Sequence, residues 1–229
     1  VSEHLTSVPA EVRELTRRLR ERGFRSWVVG GCVRDVLRGA EPADWDVCTD
    51  ARPEALLQVF PKAIPTGLAH GTVTVITKGR HVEVTTLRGE GAYTDGRRPD
   101  SVEFTDDIVA DLARRDFTVN AIAIDAFSGM LVDPFEGQRD LAAGVLRAVG
   151  DAEERFSEDG LRALRAARFV ATLEFELEPA TRAAIAGERA RSTFRKVSAE
   201  RVRDEWMKTM KARRPSARSR PCDRPGCSS

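Results

Sequence analysis

Near the start of the chain apolar residues recur at helical spacing. Val12, Leu15 and Leu19 stand among charges over residues 9–22, a pattern that predicts an amphipathic helix stopped by Gly23. SWVVGG (26–31) reads as a short buried strand running into a glycine turn. CVRDVLRG (32–39) reads as a helix of about two turns closed by Gly39. DWDVCT (44–49) alternates polar and apolar positions, as a strand does, and Pro53 opens a helix that Pro61 ends. GTVTVIT (71–77) and HVEVTTL (81–87) are β-branched runs separated by KGR, a hairpin signal. Residues 88–101 are rich in Gly and charge and predict a loop. FTVNAIAID (117–125) predicts a strand or a helix-to-strand junction. From Asp151 to Lys211 the pattern is helical, with a break near Pro179. The expectation is an α/β head over 1–150, an all-helical segment over 151–211 and an irregular tail over 212–229.

Two features of this pattern carry chemistry. Asp44 and Asp46 are i and i+2 on a strand, so both carboxylates face the same way and can jointly ligate Mg²⁺. Upstream, Gly30-Gly31 end one strand and open a helix, a turn that brings backbone N–H groups close to a triphosphate. Either feature alone is common: acidic pairs at strand ends are mostly solvated, and a Gly pair is mostly a turn. Together within residues 27–46 they point to phosphoryl-type transfer. Glu83 is the candidate third acid. Val82 and Val84 flank it, so alternation sets it on the face opposite theirs; the alternative is an ordinary solvent-facing glutamate.

Composition narrows the class. The 229 residues are 41% hydrophobic and 32% charged, and no apolar run approaches the ~20 residues that span a bilayer. The polar N-terminus does not read as a signal peptide, so cytoplasmic residence and no membrane partner are expected. Cys32 and Cys48 lie in apolar contexts and read as buried. Cys222 and Cys227 fall in the tail, and neither a zinc site nor a disulfide framework is indicated. Residues 189–229 carry a net +9 and the remainder −8. An acidic, metal-holding head beside a basic segment suits a polyanionic partner, although a solvated helix face would look the same.

Taken together, these segments resemble a known family. VVGGCVRDVLRGAEPADWDVCT (28–49), HGTVTV (70–75), GRRPDSVEF (96–104), LARRDFTVNAIAID (112–125) and the stretch from Val132 to Phe169 that holds EDGLR are similar, in order and spacing, to the class II tRNA nucleotidyltransferases. These are the CCA-adding enzymes and their relatives the bacterial poly(A) polymerases. The likeness runs from about Trp27 to about Lys208. It implies a polymerase-β-like head followed by a helical neck, with Mg²⁺ at Asp44 and Asp46 and the triphosphate near Gly31 and Arg34. It implies nucleotide binding by Arg115, ribose contact by Asp116, and base or nucleotide contacts by Asp159, Arg162, Arg165 and Arg168. The partners implied are CTP, ATP and a tRNA 3′ end. Family members continue through body and tail domains that grip the tRNA, so the helical part here is expected to be truncated.

The EDGLR segment also has a physical reading of its own. Asp159, Arg162 and Arg165 are spaced by three, so on one helix they would share a face. An aspartate accepts from the exocyclic amine that cytosine and adenine both carry, and an arginine donates to the ring nitrogen beside it. The alternative is a solvated Asp–Arg ladder. Arg34 could likewise pair only with Asp35, and Arg115 with Asp116. Tyr93, Arg97 and Arg98 lie in what looks like the flexible loop of A-adding members. The tail ARRPSARSRPCDRPGCSS lacks apolar periodicity, and one codon choice read in a shifted frame gives an amphipathic helix, so a frameshift is one expectation for it. The expected function is addition of C and A to tRNA 3′ ends. Poly(A) polymerisation, antibiotic nucleotidylation and a non-catalytic RNA-binding remnant are the alternatives.

Overall fold

The computed structural model describes residues 6–89 and 103–211. Most of the loop at 88–101, with Tyr93, Arg97 and Arg98, lies outside the described residues, as does the tail from 212 onward with Cys222 and Cys227.

The chain opens with α1 (Ala10–Glu21), which buries Val12, Leu15, Thr16 and Leu19 as its spacing requires. Then come β1 (Ser26–Val29), α2 (Gly31–Leu37), β2 (Trp45–Thr49), α3 (Pro53–Val59) and β3 (Ile64–Gly67). A 3₁₀ turn at Leu68–His70 leads to the hairpin β4 (Thr72–Thr77) and β5 (Arg80–Thr86). After α4 (Ile108–Ala113) and a 3₁₀ turn at Thr118–Asn120, strands β6 (Ala123–Asp125) and β7 (Leu131–Val132) complete one seven-stranded sheet in the order β3-β4-β5-β2-β1-β6-β7. Its neighbours are antiparallel except β2 and β5, which run parallel.

β1 shows how the sheet sorts its side chains. All four of its residues are buried. Val28 packs with α1 and α3 in one core, and Trp27 and Val29 pack with Cys48 and Leu112 in another on the opposite face. Cys32 and Cys48 are buried free thiols, as expected.

Helix α5 (Gly137–Ala143) and β8 (Val145–Leu146) lead into the helical part. There the expected long helical run is divided into α6 (Ala152–Glu158), α7 (Leu161–Leu173), α8 (Pro179–Ala186), α9 (Glu188–Arg195) and α10 (Ala199–Lys211). The break expected near Pro179 is real, but Pro179 begins a helix, and the interruption is β9 (Glu176–Leu177) paired in parallel with β8. This part has its own core around Phe117, Phe156 and Phe169, in which the Phe117 and Phe169 rings meet edge to face at 5.7 Å. Phe117 comes from the segment that leads out of α4, so the core joins the two parts.

Gly160, between α6 and α7, lies against the backbone of α9. A Cβ there would come 2.4 Å from the Phe194 nitrogen and 2.5 Å from its Cα. Gly160→Ala is therefore expected to cost about 1–3 kcal/mol by overpacking. The urea midpoint measures this, and an unchanged midpoint would show that α9 does not press on the turn.

Among the described residues no helix is long and apolar enough to cross a membrane.

Candidate active site

The twelve residues assigned from the sequence to metal, catalysis or nucleotide binding line one cleft of about 750 Å³ between the central strands β1, β2 and β5 and α7. At its floor, Asp46 sits on β2 directly beside Glu83 on β5, because the parallel register pairs these two residues. Alternation holds: Val82 and Val84 are buried and Glu83 is exposed. Asp44 lies just before the strand and is exposed. Burial pushes the Asp46 carboxyl up to about 6. The Glu83 charge adds to this, Arg115 opposes it, and Asp44 adds further.

These oxygens fit a hard divalent cation: the negative charge is crowded and the donors are carboxylates. Among the described residues no three ligand-type side chains converge tightly enough to enclose a metal by themselves.

Beside the carboxylates stands the Gly30-Gly31 turn. Gly30 has φ +80°, and a Cβ on it would meet the Arg115 Nη1 at 2.9 Å. A side chain here would be strained and would displace the guanidinium. Arg115 does not pair with Asp116. Its Nη2 donates to Asp111 Oδ2 at 3.2 Å, and its Nε is buried with no partner. Asp111, 2% exposed, also accepts from the Arg88 backbone N–H. Asp111 was not singled out from the sequence; its place one helical turn before Arg115 was the available signal.

Arg34 is buried and does more than pair with Asp35. Its Nε donates to Asp35 Oδ1 at 2.9 Å and its Nη1 to Asn120 Oδ1 at 2.7 Å. Asn120 Nδ2 donates in turn to Asp116 Oδ1 at 3.1 Å, and Arg165 Nε to Asp116 Oδ2 at 2.7 Å. Burial alone would raise the Asp116 pKa, but the Arg165 charge and the hydrogen bonds from Asn120 and Arg165 hold it below the usual carboxylate value. Asn120 lies within the RRDFTVNA segment yet was not marked as a candidate.

The EDGLR reading needs correction. Asp159 is not on a helix with Arg162. It caps the C-terminus of α6 in extended conformation, and α7 starts at Leu161. Nor do the two form a ladder. Both oxygens of Asp159 accept from Arg201 on α10, at 3.2 and 2.8 Å. Arg162, 9% exposed, donates from Nη1 to the Arg155 carbonyl and to Glu158, and from Nη2 to the Arg114 carbonyl at 2.9 Å. Arg168 is paired with the buried Glu205 on α10. These bonds use Nη1 and Nη2, and among the described residues the Arg162 Nε–H has no hydrogen-bond partner. The α10 anchors Arg201 and Glu205 had no sequence signal, since they act across 42 and 37 residues.

A family model described as "Poly A polymerase head domain" matches residues 26–147, more than half of the chain. The chain belongs to this family. A second model, described as "Probable RNA and SrmB- binding site of polymerase A", matches residues 174–218. A CCA-adding enzyme of Lactobacillus delbrueckii subsp. bulgaricus is 45% identical over 204 residues, which is 89% of this chain and 51% of that protein. The crystal structure of the Bacillus stearothermophilus CCA-adding enzyme in complex with CTP superposes with a TM-score of 0.80 at 39% identity, covering 92% of this chain and 49% of that one. The Thermotoga maritima CCA-adding enzyme complexed with tRNA gives 0.72 at 29% identity, covering 92% and 50%. The fold is thus the polymerase-β-like nucleotidyltransferase head with the start of a helical neck, and the chain spans about half the length of the curated relatives it matches.

Proposed function

We propose that this chain carries the nucleotidyl-transfer half of an Mg²⁺-dependent cytoplasmic enzyme that adds C and A, from CTP and ATP, to the 3′ end of tRNA. The observation that carries the reading is the single cleft in which the carboxylates, the glycine turn and the arginines of α7 all meet. In this family such a cleft serves transfer of a nucleotide to a 3′-hydroxyl, with pyrophosphate leaving. The proposed division runs 1–150 for the head and 151–211 for the base-reading and RNA-binding neck.

The Gly30-Gly31 backbone and Arg34 hold the triphosphate, and Arg115, kept in place by Asp111, adds positive charge over the same turn. Asp116 accepts from the ribose. Asp159 and the free edge of Arg162 read the base, while Arg165 and Arg168 complete the wall. Asp44 and Asp46, with Glu83 beside them, would hold the metal, which when bound lowers the pKa of the attacking hydroxyl and neutralises charge on the phosphate.

The family's own name favours a second reading, an enzyme that adds only A. Incubation with tRNA lacking its CCA end, each nucleoside triphosphate supplied separately, separates the two. Sequential incorporation of C then A supports the proposal. Incorporation of A alone supports the polymerase reading. No incorporation at all would leave a non-catalytic RNA-binding piece.

A further inference from the structure

A second groove adjoins the cleft on the other side of Asp44. Its volume is about 410 Å³, and Lys78, Arg80 and His81 line it together with Glu11 and Asp44. Lys78 sits on the turn between β4 and β5, and Arg80 and His81 are the first two residues of β5. Lys78 and Gly79 have φ of 45° and 81°, the pair of left-handed residues that makes a tight two-residue hairpin turn, so the backbone carrying the cluster is sharply defined. Lys78 and His81 are exposed and Arg80 half-buried, and among the described residues none of the three side chains forms a salt bridge or side-chain hydrogen bond. Most other arginines around the main cleft are committed to carboxylates or carbonyls; these are not.

The position matters more than the charge. Across the sheet face the order is β1 with Gly30 at its end, β2 with Asp46, β5 with Glu83, then β4. The triphosphate side is the β1 and α2 side. In a nucleotidyl transfer the attacking and leaving oxygens are roughly in line, so the attacking hydroxyl must enter from the side opposite the pyrophosphate. That is the β5 and β4 side. Asp44 lines both the cleft and the basic groove, so the groove is the one that opens there.

We propose that Lys78, Arg80 and His81 form the landing site for the backbone phosphates of the acceptor RNA, next to its 3′-terminal nucleotide. This rests on the nucleotidyl-transfer reading above. The occupant is a strand of RNA rather than a second nucleotide, because the groove is open and charged, it has no amide side chain, and Trp45, the one indole that lines it, is itself buried. The three residues take no part in the chemistry; they hold the strand.

The test is the double variant Lys78→Glu/Arg80→Glu, assayed on tRNA lacking CCA. The KM for the RNA should rise about tenfold or more, while the KM for CTP stays within about twofold. The salt dependence of RNA binding should become shallower by about 1.4 in logarithmic slope, about 0.7 for each lost single-strand phosphate contact. The charge-keeping variant Lys78→Arg/Arg80→Lys should behave as the parent. An unchanged RNA KM, or equal changes in both constants, would overturn the proposal. Should the parent incorporate nothing, the transfer reading fails, and the landing site is judged separately by photocrosslinking RNA that ends in 4-thiouridine, with CTP and Mg²⁺ present. Crosslinks to peptide 77–81 support it, and crosslinks confined elsewhere reject it.

Discussion

Replacing Asp46 by asparagine will lower nucleotide incorporation by about a thousandfold or more. The side chain keeps its size and its place on β2 beside Glu83, so the loss is one of charge. A metal that stabilises the transition state by several kcal/mol loses a ligand, and about 4 kcal/mol corresponds to that factor. A second outcome is independent of turnover. Burial, Glu83 and Asp44 all disfavour the ionised carboxylate, so in metal-free buffer the variant should be more stable than the parent at pH 8, by about 1–3 kcal/mol. Adding Mg²⁺ should raise the parent's thermal midpoint and leave the variant's almost unmoved, since a ligand stabilises only the form that binds it. Near-parental turnover would remove Asp46 from the metal site. A parent that Mg²⁺ does not stabilise would remove the metal from the ligand-free cleft.

Asp159→Asn is expected to weaken discrimination against UTP and GTP by about 10- to 100-fold while transfer continues. Asp159 offers only acceptors, suited to the amine of cytosine or adenine. Uracil and guanine present a carbonyl there, and each polar mismatch costs about 1–3 kcal/mol. An asparagine can donate to that carbonyl. Arg201 complicates the change, because it grips both oxygens of Asp159 and would lose one partner in the variant. Arg201→Met separates the effects. It keeps the acceptor but frees it, so the KM for CTP should rise with little change in the ratio of C to U. The measurement is incorporation of all four nucleotides by parent and both variants on one acceptor. A parental preference in Asp159→Asn would return this aspartate to a structural anchor for α10.

What could be read from the sequence was whatever depends on local period. Asp46 and Glu83 were legible because strand alternation alone fixes which face they take. The buried stripe of α1 was legible for the same reason at helical period. Asp159 was misread because three-residue spacing assumes a continuous helix, and the chain turns at Gly160, whose closeness to α9 no local pattern records. β3 escaped because its residues are exposed or half-buried and carry no apolar alternation. Arg201 and Glu205 escaped because their meaning comes only from α10 packing back on α7. The head was thus easier to read than the neck, where contacts across about forty residues decide what each charge does.

The parallel pairing of β2 with β5 fixes the order in which the site can come into being. Asp46 and Glu83 are neighbours only when that ladder is in register, and between them the chain must first lay down α3, β3 and β4. A slip of one residue would turn Glu83 into the core and bring Val82 or Val84 to the cleft. Pairing of this kind closes a long loop, and that closure costs entropy before the ladder's contacts reward it. Of the three acids, only Glu83 depends on that pairing to reach the centre. A nascent chain still lacking β5 has the glycine turn and the Asp44–Asp46 pair, and the third carboxylate is added by the same event that pairs β5 with β2.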